Sequence, residues 1–175
     1  MAPLFAALAM LQIPPVTGDP RIPMPDPWRE PGYNNIWWIQ SPNFGPRPAG
    51  AVVDTVVVHS TVIPTLQATA AAFTREASQV SAHFTIGRDG SIVQSVSTFD
   101  RAWHAGVSVD ARGKRNLNDY SIGIELINLN DGKDPYPDAQ LHALGNVIGM
   151  LRRRFPLVQI ATHEFIAIPN GRKND

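Results

Sequence analysis

Val52-Val53-Asp54-Thr55-Val56-Val57-Val58 runs directly into His59, and this stretch decides the fold. A short run dominated by β-branched residues reads as a buried strand, with polar residues marking its end. A histidine at that end is held on a rigid element and faces whatever lies beyond the sheet edge. A second run, Leu157 to Thr162, ends the same way at His163. Twelve residues later stands Asp175. Two strand-end histidines and an aspartate supply three ligands of the kind and number a catalytic zinc uses, with a fourth position left for water. Taken singly, each histidine also reads as a capping or satisfied core residue.

Outward from this pair the pattern is that of an α/β domain. Thr65 to Ser78 is alanine-rich, with Leu66, Ala70 and Phe73 at helical spacing. Ala82–Ile86 and Ser91–Val96 alternate around Arg88-Asp89-Gly90, a hairpin signal. Tyr120 to Leu129 is a further strand run. Asp138 opens a helix expected to turn Leu141, Leu144, Ile148 and Leu151 inward. That helix ends in Arg152-Arg153-Arg154, where cations suit the helix dipole. The expectation is a central mixed β-sheet flanked by helices.

The chain has 175 residues, 43% hydrophobic and 17% charged, which suits a domain with a proper core. Fifteen basic and fifteen acidic residues cancel, so nothing predicts a nucleic-acid partner. With no cysteine there is neither disulfide nor thiolate ligand. Met1 to Leu11 is apolar and alanine-rich. It reads either as the remnant of an export signal or as a plain hydrophobic start, and it is too short to span a bilayer. Prolines crowd residues 12–50 and disfavour helix and central strand. Residues 1–40 are therefore read as an extended arm anchored by Ile36-Trp37-Trp38-Ile39, and residues 41–175 as the folded domain.

Glu125 lies inside the apolar run Ser121-Ile122-Gly123-Ile124-Glu125-Leu126-Ile127, where a carboxylate is costly without a partner. Alternation puts Gly123, Glu125 and Ile127 on one face. If that face opens on a metal, Glu125 can act as a general base with a pKa raised by desolvation. A structural ion pair is the competing account. Lys173, in the loop Pro169 to Asp175, can stabilise an oxyanion if it is fixed beside the metal, or be merely solvated. His83 faces away from one apolar side. His104, in Ala102-Trp103-His104-Ala105-Gly106, can line a sugar or peptide cleft, and His142 is expected in solvent.

Six stretches in order carry a resemblance: Ser41-Pro42-Asn43-Phe44; Val56-Val57-Val58-His59-Ser60-Thr61; Ser81-Ala82-His83-Phe84-Thr85-Ile86 with Arg88-Asp89-Gly90; Ala102 to Gly106; Asn118 to Glu125; and His163-Glu164 through Gly171-Arg172-Lys173-Asn174-Asp175. Together they resemble the zinc-dependent N-acetylmuramoyl-L-alanine amidases of the type 2 family, whose fold is shared with peptidoglycan-recognition proteins and phage T7 lysozyme. Ala82, Glu125 and the carboxylate third ligand resemble the bacterial branch that includes AmpD and AmiD. Phage-type members carry tyrosine and cysteine at two of these places.

The resemblance implies one zinc on His59, His163 and Asp175, Glu125 as general base, and Lys173 steadying the tetrahedral intermediate. It implies a cleft lined by Trp103, His104 and Ala105, with Asn43, Arg115 and Asn118 as further substrate contacts. The substrate would be peptidoglycan or a muropeptide, cut between N-acetylmuramic acid and L-alanine by a monomer. A non-catalytic peptidoglycan-recognition module is the alternative; such modules are expected to lose a zinc ligand, and here all three are present. Relatives continue past the last ligand, so a truncated C-terminus is expected. The arm and apolar start point to the cell envelope or export, with a cytoplasmic recycling enzyme as the alternative.

Overall fold

The computed structural model describes residues 36–175. The apolar start, and the prolines through Pro31, lie outside the described residues. Six strands form one mixed sheet in the order β1-β5-β4-β7-β3-β8. They are β1 (Ile36–Trp38), β3 (Thr55–Ser60), β4 (Phe84–Ile86), β5 (Ile92–Gln94), β7 (Ser121–Leu126) and β8 (Gln159–Thr162). Only β4 and β5 pair antiparallel, across the expected Arg88-Asp89-Gly90 hairpin; the other neighbours run parallel. Gly90 takes φ +82° in that turn, a conformation costly for any residue with a Cβ. A small antiparallel pair, β2 (Phe44–Gly45) with β6 (Arg101–Ala102), lies outside the main sheet.

The central strands β3, β4 and β7 are buried along nearly their whole length, which explains why β3 and β7 read as apolar runs, while β4, read as alternating, is buried on both faces. Helix α1 (Leu66–Phe73) is shorter than the alanine-rich pattern predicts. It is capped by Thr65, whose hydroxyl accepts the Ala68 N–H at 3.2 Å. Beyond it Arg75 turns extended and Glu76–Ser78 forms a separate 3₁₀ turn. Asn43, fully buried, stabilises that break with Nδ2 2.9 Å from the Arg75 carbonyl and 3.1 Å from that of Val80.

Helix α2 (Asp138–Arg154) has the predicted ends and most of the predicted inward face, with Leu151 buried, Leu144 and Ile148 packed against the core, and Leu141 the exception. It buries Gln140, Ala143, Val147, Met150 and Leu151, while Leu141 is 45% exposed. The cause is Gln140. Its side-chain amide donates to the Ile86 and Ile127 carbonyls, at 2.9 and 3.1 Å, just where β4 and β7 end. Buried carbonyls at strand ends need donors, and meeting them with Gln140 leaves its neighbour Leu141 outside. The resulting core joins α2 to Val56, Phe84, Ile86, Ile122 and Ile124.

Two further boundaries differ from expectation. Ile36–Trp38 pairs in register with Ile92–Gln94, so the arm enters the sheet as an edge strand before residue 40. Strand β8 is the opposite edge and leaves Ile160 45% exposed, so it is not the buried strand its sequence suggests. His163 opens a short helix, α3 (His163–Ile166), instead of closing that strand. Among the described residues, no helix is long and apolar enough to cross a membrane.

Candidate metal centre and active site

Parallel register places His59 opposite Glu125 and Val57 opposite Gly123. Neighbouring residues in register share a face, so the histidine and the carboxylate lie side by side at the C-terminal end of the sheet. Strand β8, in register from Thr55 to Val58, then delivers His163 to the same edge. The chain returns through Pro169–Asn174 to bring in Asp175. Its main-chain oxygen accepts the Glu164 N–H at 2.6 Å, and the preceding carbonyl, of Asn174, accepts the Asn130 side-chain amide at 2.7 Å.

His59 Nδ1, His163 Nδ1 and Asp175 Oδ2 form a triangle with sides of 3.1, 3.3 and 3.4 Å. Ligand atoms held about 2.0–2.1 Å from a tetrahedral zinc stand about 3.3 Å apart. The triangle has that size, and both histidines are buried. The donor set of two imidazoles and one carboxylate also suits zinc. Of the sequence-derived ligands, all three are therefore brought together.

Electrostatics fit the same reading. Burial pushes His59 down to about 4 against the opposing pull of Asp175, keeping the imidazole neutral. Burial holds His83 and His104 well below the usual range too. Asp175 is raised by burial but lowered more by the close approach of the His163 and His59 rings, and the net result is a carboxyl well below its ordinary value. Glu125 is half-buried, and its Oε2 is shielded from solvent with no hydrogen-bond partner. Burial, then the charge of Asp175, raises it to about 8, with Lys173 pulling the other way. The structural ion pair considered for Glu125 is absent among the described residues.

Lys173 sits on the exposed terminal loop, close enough for its charge to act on both His59 and Glu125. Trp103 is half-buried with its indole N–H unpartnered. Asn118 accepts the His104 and Ala105 N–H groups at 3.1 and 2.7 Å, so its carbonyl oxygen builds the cleft wall. Asn43 is enclosed at the α1 break, Arg115 is exposed, and His142 is exposed as expected. A cavity of ≈330 Å³ opens beside His59 and Asp175, lined also by Ser60, Leu126, Asn130 and Tyr136. That volume lies at the lower end for small-molecule sites.

Sequence reading did not single out Arg47 or Ser121. Arg47 donates to the carbonyls of Asn118, Asp119 and Ser121 at 2.9–3.0 Å, a buried guanidinium held by main chain and lowered by burial to about 10. It lies within the proline-crowded segment, where nothing marks it off.

The metal-free domain is expected to be most stable near pH 6.5. His59, His83 and His104 are depressed in the folded state, so the unfolded chain binds more protons as pH falls through 6.5 and stability is lost toward pH 4. Glu125 has the opposite sign: its raised value means stability falls as pH rises from 4.5 toward 8. Three groups outweigh one below 6.5, and above it only Glu125 acts. Thermal melts in chelator across this range check the maximum, and Glu125→Gln is expected to flatten the alkaline side.

Residues 49–175 match the model of the N-acetylmuramoyl-L-alanine amidase family. The chain belongs to this family. It is 34% identical over 137 residues to the 1,6-anhydro-N-acetylmuramyl-L-alanine amidase AmpD of Haemophilus influenzae, covering 69% of this chain and 73% of that one. Identity to AmpD of Escherichia coli K12 is 37% over 137 residues, covering 67% and 72%. Among solved structures, a selenomethionine AmpD derivative matches with TM-score 0.69 and 33% identity over 81% of this chain and 87% of that one. AmiD from E. coli, solved with anhydro-N-acetylmuramic acid-L-Ala-D-gamma-Glu-L-Lys, matches with TM-score 0.63 and 29% identity over 74% and 55%. The protein is thus an N-acetylmuramoyl-L-alanine amidase with the fold of these enzymes, as the sequence resemblance implied.

Proposed function

We propose that the chain is a zinc enzyme that hydrolyses the amide joining the lactyl group of 1,6-anhydro-N-acetylmuramic acid to L-alanine in soluble muropeptides. The observation that carries this is the triangle of His59 Nδ1, His163 Nδ1 and Asp175 Oδ2, whose sides suit a tetrahedral ion. Bound there, zinc supplies Lewis acidity at the scissile carbonyl. Glu125 takes a proton from the attacking water and passes it to the departing L-alanine nitrogen. Lys173 steadies the oxyanion of the tetrahedral intermediate. Trp103 and Arg115 meet the substrate. Ala105 is fully buried, and the His104 ring nitrogens, the Asn43 side-chain N–H groups and the Asn118 side-chain carbonyl face protein partners, so these residues act by shaping the cleft. Similarity to AmpD supports the anhydro sugar and the cytoplasmic recycling alternative; the envelope location draws no support from these relatives. We read the working form as a monomer with one zinc.

Metal analysis and product mass spectrometry test this together. One zinc per chain is expected, with release of stem peptide from anhydro-muropeptide much faster than from intact sacculi. Metal-loaded protein that binds muropeptide and leaves the amide intact would instead establish the recognition-module alternative.

A further inference from the structure

Behind His59 lies a hydrogen-bond ladder whose direction is fixed at its far end. Ser121 Oγ is 2.5 Å from the Leu117 carbonyl oxygen. Two oxygens so close need a proton between them, and a carbonyl can only accept, so the single hydroxyl hydrogen of Ser121 points at Leu117. Ser121 Oγ also lies 3.2 Å from His104 Nε2, and toward that atom it can only accept. His104 Nε2 therefore carries the proton, and a neutral imidazole has only one. That leaves His104 Nδ1 as an acceptor, 3.1 Å from His59 Nε2. His59 must donate there, which leaves its Nδ1 lone pair facing His163 Nδ1 and Asp175 Oδ2.

His163 is set independently. Its Nε2 lies 3.2 Å from the Ala105 carbonyl, so Nε2 donates and Nδ1 is free. Asn118 Oδ1 accepts the N–H groups of both His104 and Ala105, so one side chain anchors the two residues through which both ligands are oriented.

We infer that Ser121 and His104 are positioning residues that lock His59 in its Nε2–H tautomer, presenting Nδ1 to the metal. This rests on the metal-binding reading of the triangle, but the tautomer itself exists without metal. An outer hydrogen-bond partner of a ligating histidine typically contributes 10–100-fold to metal affinity. Here that contribution comes through three hydrogen bonds ending on main chain instead of a carboxylate. Ser121 is fully buried beside the ring it directs, so it makes no substrate contact of its own.

The test uses the metal-free protein and ¹⁵N histidine spectra, alongside zinc affinity by chelator competition. Wild type is expected to show His59 protonated on Nε2. Ser121→Ala is expected to populate the Nδ1–H form and weaken zinc about 10-fold or more. Ser121→Thr restores the hydroxyl and should bring affinity back to within about threefold of wild type. A wild-type His59 protonated on Nδ1 would overturn the inference, as would Ser121→Ala binding zinc within about twofold of wild type. If wild type takes up no zinc, the proposed function falls, while the tautomer spectrum still decides the ladder.

Discussion

Glu125→Gln is expected to retain one zinc per chain and lose about 10²–10⁴-fold in kcat, the range a positioned general base contributes. The side chain stands in register with His59, on the same face, yet lies outside the ligand triangle. Its Oε2 has no hydrogen-bond partner although it is shielded from solvent. An orphaned buried carboxylate costs stability, and natural structures retain such groups where function uses them. Glutamine keeps the volume and removes the base, so metal content and Tm should hold or rise while turnover falls. In the metal-free protein the carboxyl is pushed up to about 8, and a cation in the triangle lowers it. The acid limb of kcat/KM in the zinc enzyme is therefore expected between pH 4.5 and 8, with activity rising as the carboxyl loses its proton. Zinc loss in Glu125→Gln would make Glu125 a ligand and sink its assignment as base.

What the sequence displayed and what it hid follow from one physical difference. Strands β3 and β7 are legible because burial on both faces demands unbroken apolar runs, and any exception within them, such as Glu125, stands out. The end of the β3 run marks the functional edge, so His59 is visible as a candidate before any contact is known; His163 is visible because the edge strand before it, β8, reads as another such run. The exposure of Leu141 at the start of helix α2 is hidden because a buried glutamine, which satisfies two strand-end carbonyls, looks like a surface residue in a hydrophobicity pattern. The orientation of the candidate metal ligands is hidden for the same reason. Ser121 and the Leu117 carbonyl act through hydrogen-bond direction, and no spacing rule encodes direction. His104 illustrates the limit: its neighbours Trp103 and Ala105 suggest a cleft, whereas its ring nitrogens are taken up by His59 and Ser121.

Gly123→Ala is expected to destabilise the domain by about 2–3 kcal/mol, at the upper part of the usual range for overpacking, and to weaken zinc about 10-fold or more. A Cβ at this position would stand 2.8 Å from His104 Nδ1 and closer still to its Cγ. Something must then move. Strand β7 cannot, because it is paired in register with β3 on one side and β4 on the other, and the Gly123 N–H and carbonyl are both bonded to His83. The His104 ring is the softer partner, but moving it breaks the bonds to His59 and Ser121 together, and with them the tautomer that presents Nδ1 of His59. Loss of stability and loss of zinc should therefore appear in the same variant. Gly145→Ala is the contrast. Nothing lies within 4 Å of a Cβ there, on helix α2, and the same change should stabilise by about 0.5–1 kcal/mol because alanine is the better helix former. Chemical denaturation and chelator competition on both variants decide the matter. A Gly123→Ala protein with wild-type stability and wild-type zinc affinity would mean that the ring has room to retreat, and that the close packing of His104 on β7 does not govern the metal site.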